Sequence, residues 1–287
     1  MVTKTKTLVP TRLIIFLELV RGCNNKECPS WGSVCKYDGQ HYMGFETMSQ
    51  ITKQLKEVLK DDPFEVVDLW TYGCGDSLDH PEIDKILERV RQDLGDNCKI
   101  SMAIDSRRDV LKGTWWTSLS KIKIIHKIPE SFDWFSSAKK WSSLPIPMSH
   151  KLITNHITND MWRIWKTSGF ITEMKAVPWH DIALGTDSPV FTKRSKMSFD
   201  PELPVAVEAY PGKPVRRIMI SYDGSLRRCL ISPTSYHTIK KLAFGKEDVC
   251  QTCFPLTGGE LVKFHDDYIS VTPSANCVSD GYYSPLE

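Results

Sequence analysis

Leu13-Ile-Ile-Phe-Leu-Glu-Leu-Val20 runs directly into Arg21-Gly-Cys23-Asn-Asn-Lys-Glu-Cys28-Pro-Ser-Trp-Gly-Ser-Val-Cys35. Arg12 to Val20 reads as a buried strand: a short apolar run, ended by glycine and polar residues. The thirteen residues from Cys23 to Cys35 then hold three thiols. They form a loop that begins where the first strand ends, and a loop backbone is free to wrap a metal. Three thiolates leave one coordination position open. Structural zinc normally closes its shell with four ligands, and iron–sulfur clusters are also thiolate-bound.

Outward from this stretch, strand-like and helix-like segments alternate. Glu46 to Lys60 carries apolar residues at 48, 51, 55, 58 and 59, a helical period. Val66 to Tyr72 reads as a second strand. Pro81 to Leu94 reads as a helix, with proline in its first turn and Gly95 just beyond it. Strands follow at Lys99–Ile104, Lys121–Ile128, Lys151–Ile157 and Ile171–Val177. Helices are expected within Arg107–Leu119, over 131–143 and over Asn159–Thr167. Six βα units in series predict a parallel sheet with helices outside it, curling toward a barrel or a doubly wound sheet. In either case the chemistry belongs at the C-terminal ends of the strands.

The pattern stops near residue 180. Residues 181–214 hold Pro189, Pro201, Pro204, Pro211 and Pro214 and read as a connecting region. Arg217 to Leu230 is a strand, an Asp-Gly turn and a second strand, a strong hairpin signal. A short helix near 236–243 and a cysteine-rich tail complete the chain.

Composition bounds the function. The 287 residues are 41% hydrophobic and 25% charged, which excludes disorder over most of the chain. The net charge of +2 gives no general reason to expect nucleic acid or a membrane surface. The run Leu13–Val20 contains Glu18 and is too short to span a bilayer, which needs about 20 residues. It also lacks the cleavage site of a signal peptide. A cytoplasmic location is expected, and there structural disulfides are rare. The nine cysteines are clustered, three near the start and four within the last 59 residues, and clustered thiols in a reducing compartment point to metal.

At the end of the second strand stands Tyr72-Gly73-Cys74-Gly75-Asp76, followed by His80-Pro81. Glycine there lets the backbone approach a ligand closely. The tail reads Cys229, fifteen residues, Gly245, four residues, Cys250-Gln-Thr-Cys253, and later Cys277.

In this order of motifs the chain resembles the radical S-adenosylmethionine (SAM, AdoMet) superfamily. That family carries three cysteines on the loop after the first strand of a partial (β/α)6 barrel. The spacing here, C-x4-C-x6-C, departs from the common C-x3-C-x2-C, and Val34 replaces the aromatic residue usual before the last cysteine. The resemblance implies that Cys23, Cys28 and Cys35 hold a [4Fe–4S] cluster whose open iron binds the amino and carboxylate groups of SAM. It implies that Gly73, Cys74, Gly75 and Asp76 correspond to the family's Gly-Gly-Glu motif and receive the ammonium of SAM. Ser101, Asp105, His126 and Asn155 are the polar residues near the ends of strands three to five, and Asp105 and Asn155 are carried as SAM contacts.

The tail resembles the family's C-terminal SPASM or twitch extension. That resemblance implies a second [4Fe–4S] cluster on Cys229, Cys250, Cys253 and Cys277. The expected architecture is α/β: a TIM-like partial barrel over 1–205 and an auxiliary cluster domain over 206–287, with a small β-hairpin and helix. The implied activity is reductive cleavage of SAM to a 5′-deoxyadenosyl radical, which abstracts hydrogen from a small-molecule, nucleoside or peptide substrate. Flavodoxin or ferredoxin would supply the electron. The alternative is a zinc-stabilised nucleic-acid-binding protein, since C-x2-C is equally a zinc knuckle. Lys213, Arg216, Arg217, Arg227, Arg228, Lys240 and Lys241 form a basic patch that suits a phosphate-bearing substrate or nucleic acid, though a solvated hairpin face explains it as well.

Overall fold

A computed structural model describes residues 12–22, 39–60, 66–73, 75–96, 98–106, 108, 113–127, 133–171, 173–177, 180–184, 189–194, 197–208, 215–227 and 259–274. The first half contains β1 (Arg12–Leu17), β2 (Val20–Arg21), β3 (His41–Tyr42), α1 (Phe45–Lys60), β4 (Val66–Thr71), α2 (Ile83–Leu94), β5 (Cys98–Asp105) and β6 (Lys121–Lys127). Next come α3 (Trp134–Trp141), β7 (Met148–Ile153), β8 (His156–Ile157), α4 (Asn159–Ser168) and β9 (Met174–Val177). The remainder is β10 (His180–Leu184), β11 (Pro189–Arg194), β12 (Ser198–Phe199), β13 (Val205–Val207), β14 (Val215–Ile220), β15 (Leu226–Arg227), β16 (Gly259–Phe264) and β17 (Ile269–Ser274).

The six expected strands, β1, β4, β5, β6, β7 and β9, lie side by side in chain order, and every neighbouring pair is parallel. No reversal of order interrupts them, so the series winds in one sense, as in a barrel wall, and is not doubly wound. Among the described residues the sheet runs to eleven strands and stays open, with β13 and β15 at its edges.

Alternation along the strands separates two faces. Leu13, Ile15 and Leu17 of β1, Leu69 of β4, Ile100, Met102 and Ile104 of β5, and Ile122 and Ile124 of β6 face the helices in one cluster. Helix α1 meets them with Met48, Ile51, Leu55 and Val58, and α2 with Ile83, Ile86, Leu87 and Val90. Each such buried aliphatic side chain contributes about 2 kcal/mol. Ile14, Phe16, Trp70, Ala103 and Met219 pack together on the opposite, concave face. Trp70, Trp115, Trp134 and Trp141 are buried, so at least four of the nine tryptophans fill the core.

Three findings differ from the sequence reading. The hairpin around Asp223-Gly224 is present, with Gly224 at φ +81°, but its first strand, β14, pairs in parallel with β1 and extends the main sheet. The stretch read as a connecting region holds the antiparallel pair β10–β11, with Pro189 as the first residue of its strand, where a missing N–H is tolerated. The expected helix within Arg107–Leu119 is a single 3₁₀ turn over Trp115–Ser118 in its described part. The expected helix near 236–243 lies outside the described residues. Among the described residues no helix is long and apolar enough to cross a membrane.

Candidate active site at the C-terminal rim

The rim is built around the two ends of the cysteine segment. Cys23, Cys28 and Cys35 lie outside the described residues, as do Cys74, Cys229, Cys250, Cys253 and Cys277. The residues that flank the first three are described. Strands β2 and β3 form a two-residue antiparallel ladder that pairs Val20 with Tyr42 and Arg21 with His41. Gly22 and Gly39 close it, both with positive φ (+90° and +98°). A Cβ on Gly22 would stand 2.2 Å from the Gly39 carbonyl oxygen. Gly22 and Gly39, on either side of residues 23–38, therefore stand together near the C-terminal end of β1.

The glycine turn after β4 packs on that base. A Cβ on Gly73 would lie 2.4 Å from Cγ of Glu18, which is fully buried and paired with Arg21 at 2.8 Å. A Cβ on Gly75 would lie 2.7 Å from the carbonyl oxygens of both Gly22 and Val20. Glycine is required at 73 and 75 because the turn lies directly against the start of the cysteine segment.

The same turn holds the segment's far end. His80 donates from Nε2 to the Met43 carbonyl at 2.9 Å, while its Nδ1 accepts from the Glu82 N–H at 3.1 Å. That pair of partners fixes the neutral Nε2–H tautomer. Gln40 donates to Asp79 at 2.9 Å, and Arg108 also binds Asp79.

Asp76 caps the 3₁₀ turn Ser77–Asp79, its Oδ1 accepting from the Leu78 N–H at 3.0 Å. Its Oδ2 is buried, has no hydrogen-bond partner, and lies 3.6 Å from Arg108 Nε. Burial pushes the carboxyl up to about 6; the Leu78 N–H and Arg108 oppose the rise, and Asp79 and Asp105 add to it. Asp105, at the end of β5, shares the concave face with Ala103 and acts electrostatically on Asp76.

The other expected contacts fall differently. Asn155 is exposed just beyond β7, three strands from β4 in the sheet, which at about 4.8 Å per strand is on the order of 14 Å. Its backbone carbonyl accepts from the Ser198 N–H at 2.9 Å. His126 faces the helices, because it shares the parity of Ile122 and Ile124. It is fully buried, edge-on to Trp134, with Nε2 2.9 Å from His150 Nδ1. Burial first, then the neighbouring His150, hold its imidazole well below the ordinary histidine range. It is a core histidine and does not face the concave side.

The concave face carries residues that motif reading passed over. Lys123 is 3% exposed, and its ammonium lies 4.8 Å from the Trp70 ring centroid. Lys151 is 1% exposed, and Ser149 lies opposite Lys123 in register. For Lys123 the only sequence signal is parity with Ile125 in a period-2 strand, whereas Ser149 and Lys151 are placed by the register of β7 on β6.

No family profile matches the sequence, and no curated protein matches it. Among solved structures, two align with it as follows. Histidine-tagged anSMEcpe with bound AdoMet aligns with a TM-score of 0.50 and 13% identity, over 82% of this chain and 78% of that one. BtrN in complex with AdoMet and 2-DOIA aligns with a TM-score of 0.44 and 9% identity, over 83% of each chain. The chain thus has the mixed α/β fold, with a large parallel sheet, seen in the anSMEcpe structure.

Proposed function

We propose that the chain is a radical SAM enzyme, binding SAM at the rim between β1, β4 and β5. The observation that supports this reading is the clasp: Gly73 and Gly75 pack on Glu18, Val20 and Gly22 before the three-cysteine segment, and Asp79 and His80 bind Gln40 and Met43 after it. The likeness in fold to an AdoMet-bound structure supports it.

The described residues suit the cofactor. Asp76 Oδ2 is a buried acceptor without a donor, and the ammonium of SAM is a donor of the right charge. Cys23, Cys28 and Cys35 would hold a [4Fe–4S] cluster. Bound together, cluster and SAM would supply radical chemistry able to take hydrogen from an unactivated carbon. The protein's own part is positional. Gly73 and Gly75 bring the turn's backbone against the loop base, Asp76 receives the ammonium, Asp105 adds negative charge beside it, and the concave wall excludes water from the substrate.

We assign Cys229, Cys250, Cys253 and Cys277 to an auxiliary cluster and place the substrate among small molecules, nucleosides and peptides, with a flavodoxin- or ferredoxin-type electron donor. Anaerobic reconstitution tests the reading. A brown protein that yields 5′-deoxyadenosine from SAM under dithionite supports it, and a colourless zinc protein overturns it.

A further inference from the structure

We propose that Ser198, His156 and Asp200 form a nucleophile, base and carboxylate array on the surface between β8 and β12, able to take an acyl group from a small carboxylic ester. This goes beyond the radical SAM reading and does not depend on it; none of the three residues belongs to the SAM rim.

Alternation fixes the frame. Ile157, Met197 and Phe199 pack in one apolar cluster beneath the two-strand ladder, so Ser198 and Asp200 turn to its outer face. Ser198 pairs in register with His156, and in-register side chains share a face. Asp200 is locked at the start of α4. Its N–H donates to the Ile157 carbonyl at 3.1 Å, and its Oδ2 accepts from the Asn159 N–H at 2.8 Å. That N–H is the largest cause holding the carboxyl below the usual carboxylate range, and His156 adds to it.

His156 lies between the other two. Its Nε2 is 2.9 Å from Asp200 Oδ1, and its Nδ1 is 2.8 Å from Ser198 Oγ. An ionised carboxylate only accepts, so Nε2 carries the proton and the Nδ1 lone pair faces the hydroxyl. The hydroxyl has a second acceptor, the Asn155 carbonyl at 3.0 Å, which already takes the Ser198 N–H at 2.9 Å. A hydroxyl within reach of a base that a third group orients is the arrangement that activates a serine. The His156 side chain is 47% exposed, so a substrate reaches the array from solvent. In a parallel ladder, alternate residues give their N–H groups to the partner strand. Ser198 and Asp200 give theirs to Asn155 and Ile157. The Phe199 N–H therefore faces away from β8, one residue after the nucleophile, where a donor to a developing oxyanion belongs.

The step balances without a redox partner. Ser198 Oγ bonds to the ester carbonyl carbon while His156 Nδ1 takes its proton. The bond from that carbon to the alcohol oxygen then breaks, and His156 returns the proton to the leaving alkoxide. Water repeats the sequence on the acyl-serine: Nδ1 takes a water proton, the water oxygen bonds to the acyl carbon, and Ser198 leaves with the proton. The products are an alcohol and a carboxylic acid.

The probe is 4-methylumbelliferyl acetate, incubated with the reconstituted full-length protein at neutral pH. Fluorescence reports the alcohol released, and peptide mass spectrometry locates the acetyl group. Wild type should turn the ester over and carry acetyl on Ser198. Ser198→Ala and His156→Gln should each lower the rate about a hundredfold or more. Asp200→Asn should lower it about tenfold or more, because the imidazole loses its tautomer. Ser198→Ala keeps every backbone bond of the ladder, so it decides the matter if Asp200→Asn does not fold. Three results each overturn the proposal: wild-type hydrolysis no faster than that of free imidazole at the same concentration, acetyl confined to lysines, or Ser198→Ala as active as wild type.

Discussion

Asp76 shows how one side chain can be costly to the fold and useful to the site. Its carboxyl is raised from 3.8 to about 6, with burial as the largest cause. The folded state therefore holds the proton to higher pH than the unfolded chain does. Stability falls as pH rises from about 4 to about 6, and the full cost is present at pH 7. A shift of this size corresponds to at most about 3 kcal/mol. Asp76→Asn keeps the acceptor for Leu78 and removes the charge. It should raise thermal stability at pH 7, with the gain vanishing near pH 4, and weaken SAM binding about tenfold without changing iron content. Identical melting curves across that pH range would show that the charge carries no cost; unaltered SAM affinity would make Asp76 a turn cap only. Gly75 gives a second expectation at this scale. Gly75→Ala sets a methyl against two backbone carbonyl oxygens that can yield only by moving the loop base. It should cost about 1–3 kcal/mol, read from denaturant midpoints, and lower iron retention. An alanine variant with wild-type stability and iron would mean the turn and the cysteine segment are not packed as described.

Among the elements, β14 carries the largest consequence. It pairs with β1 along six residues and shares the buried layer through Ile218 and Ile220. A chain cut after residue 205 loses most of β13 and all of β14 to β17, and uncovers the edge of β1, the strand that launches the cysteine segment. Such a fragment should be insoluble or lack a cooperative melt. A soluble, cooperatively folding fragment would show that β1 needs no cover on that side. The sequence signals the hairpin, through Asp223-Gly224, but not its neighbour, because parallel pairing between residues some 200 apart leaves no local trace. The six strands of the wall are legible, since each alternates or runs apolar between helices of clear period. The pair β10–β11 is obscured by the prolines around it, one of which simply starts a strand. His126 illustrates a signal present but misread: polarity near a strand end suggests a ligand, while parity with Ile122 and Ile124 sends it to the core. The same parity rule places Lys123 on the concave face, while Ser149 and Lys151 follow only from the register of β7 on β6. The rim is legible as motifs, but the contact of Gly73 and Gly75 with Glu18, Val20 and Gly22 depends on tertiary packing.

In the molecule as a whole, a single-sense parallel sheet brings the flanks of the cysteine segment and the glycine turn after β4 to one rim. The proposed pair of clusters, one on Cys23, Cys28 and Cys35 and one on the four tail cysteines, would give about eight irons per chain. A reconstituted content of about four would remove the auxiliary cluster and leave the first intact. The central claim, that the clasped segment activates SAM, is tested most directly by 5′-deoxyadenosine formation. Wild type and Cys28→Ala would be reconstituted anaerobically, reduced with dithionite and incubated with SAM. Wild type should yield 5′-deoxyadenosine and Cys28→Ala none. No product from an iron-replete wild type, or equal product from both proteins, would contradict the claim.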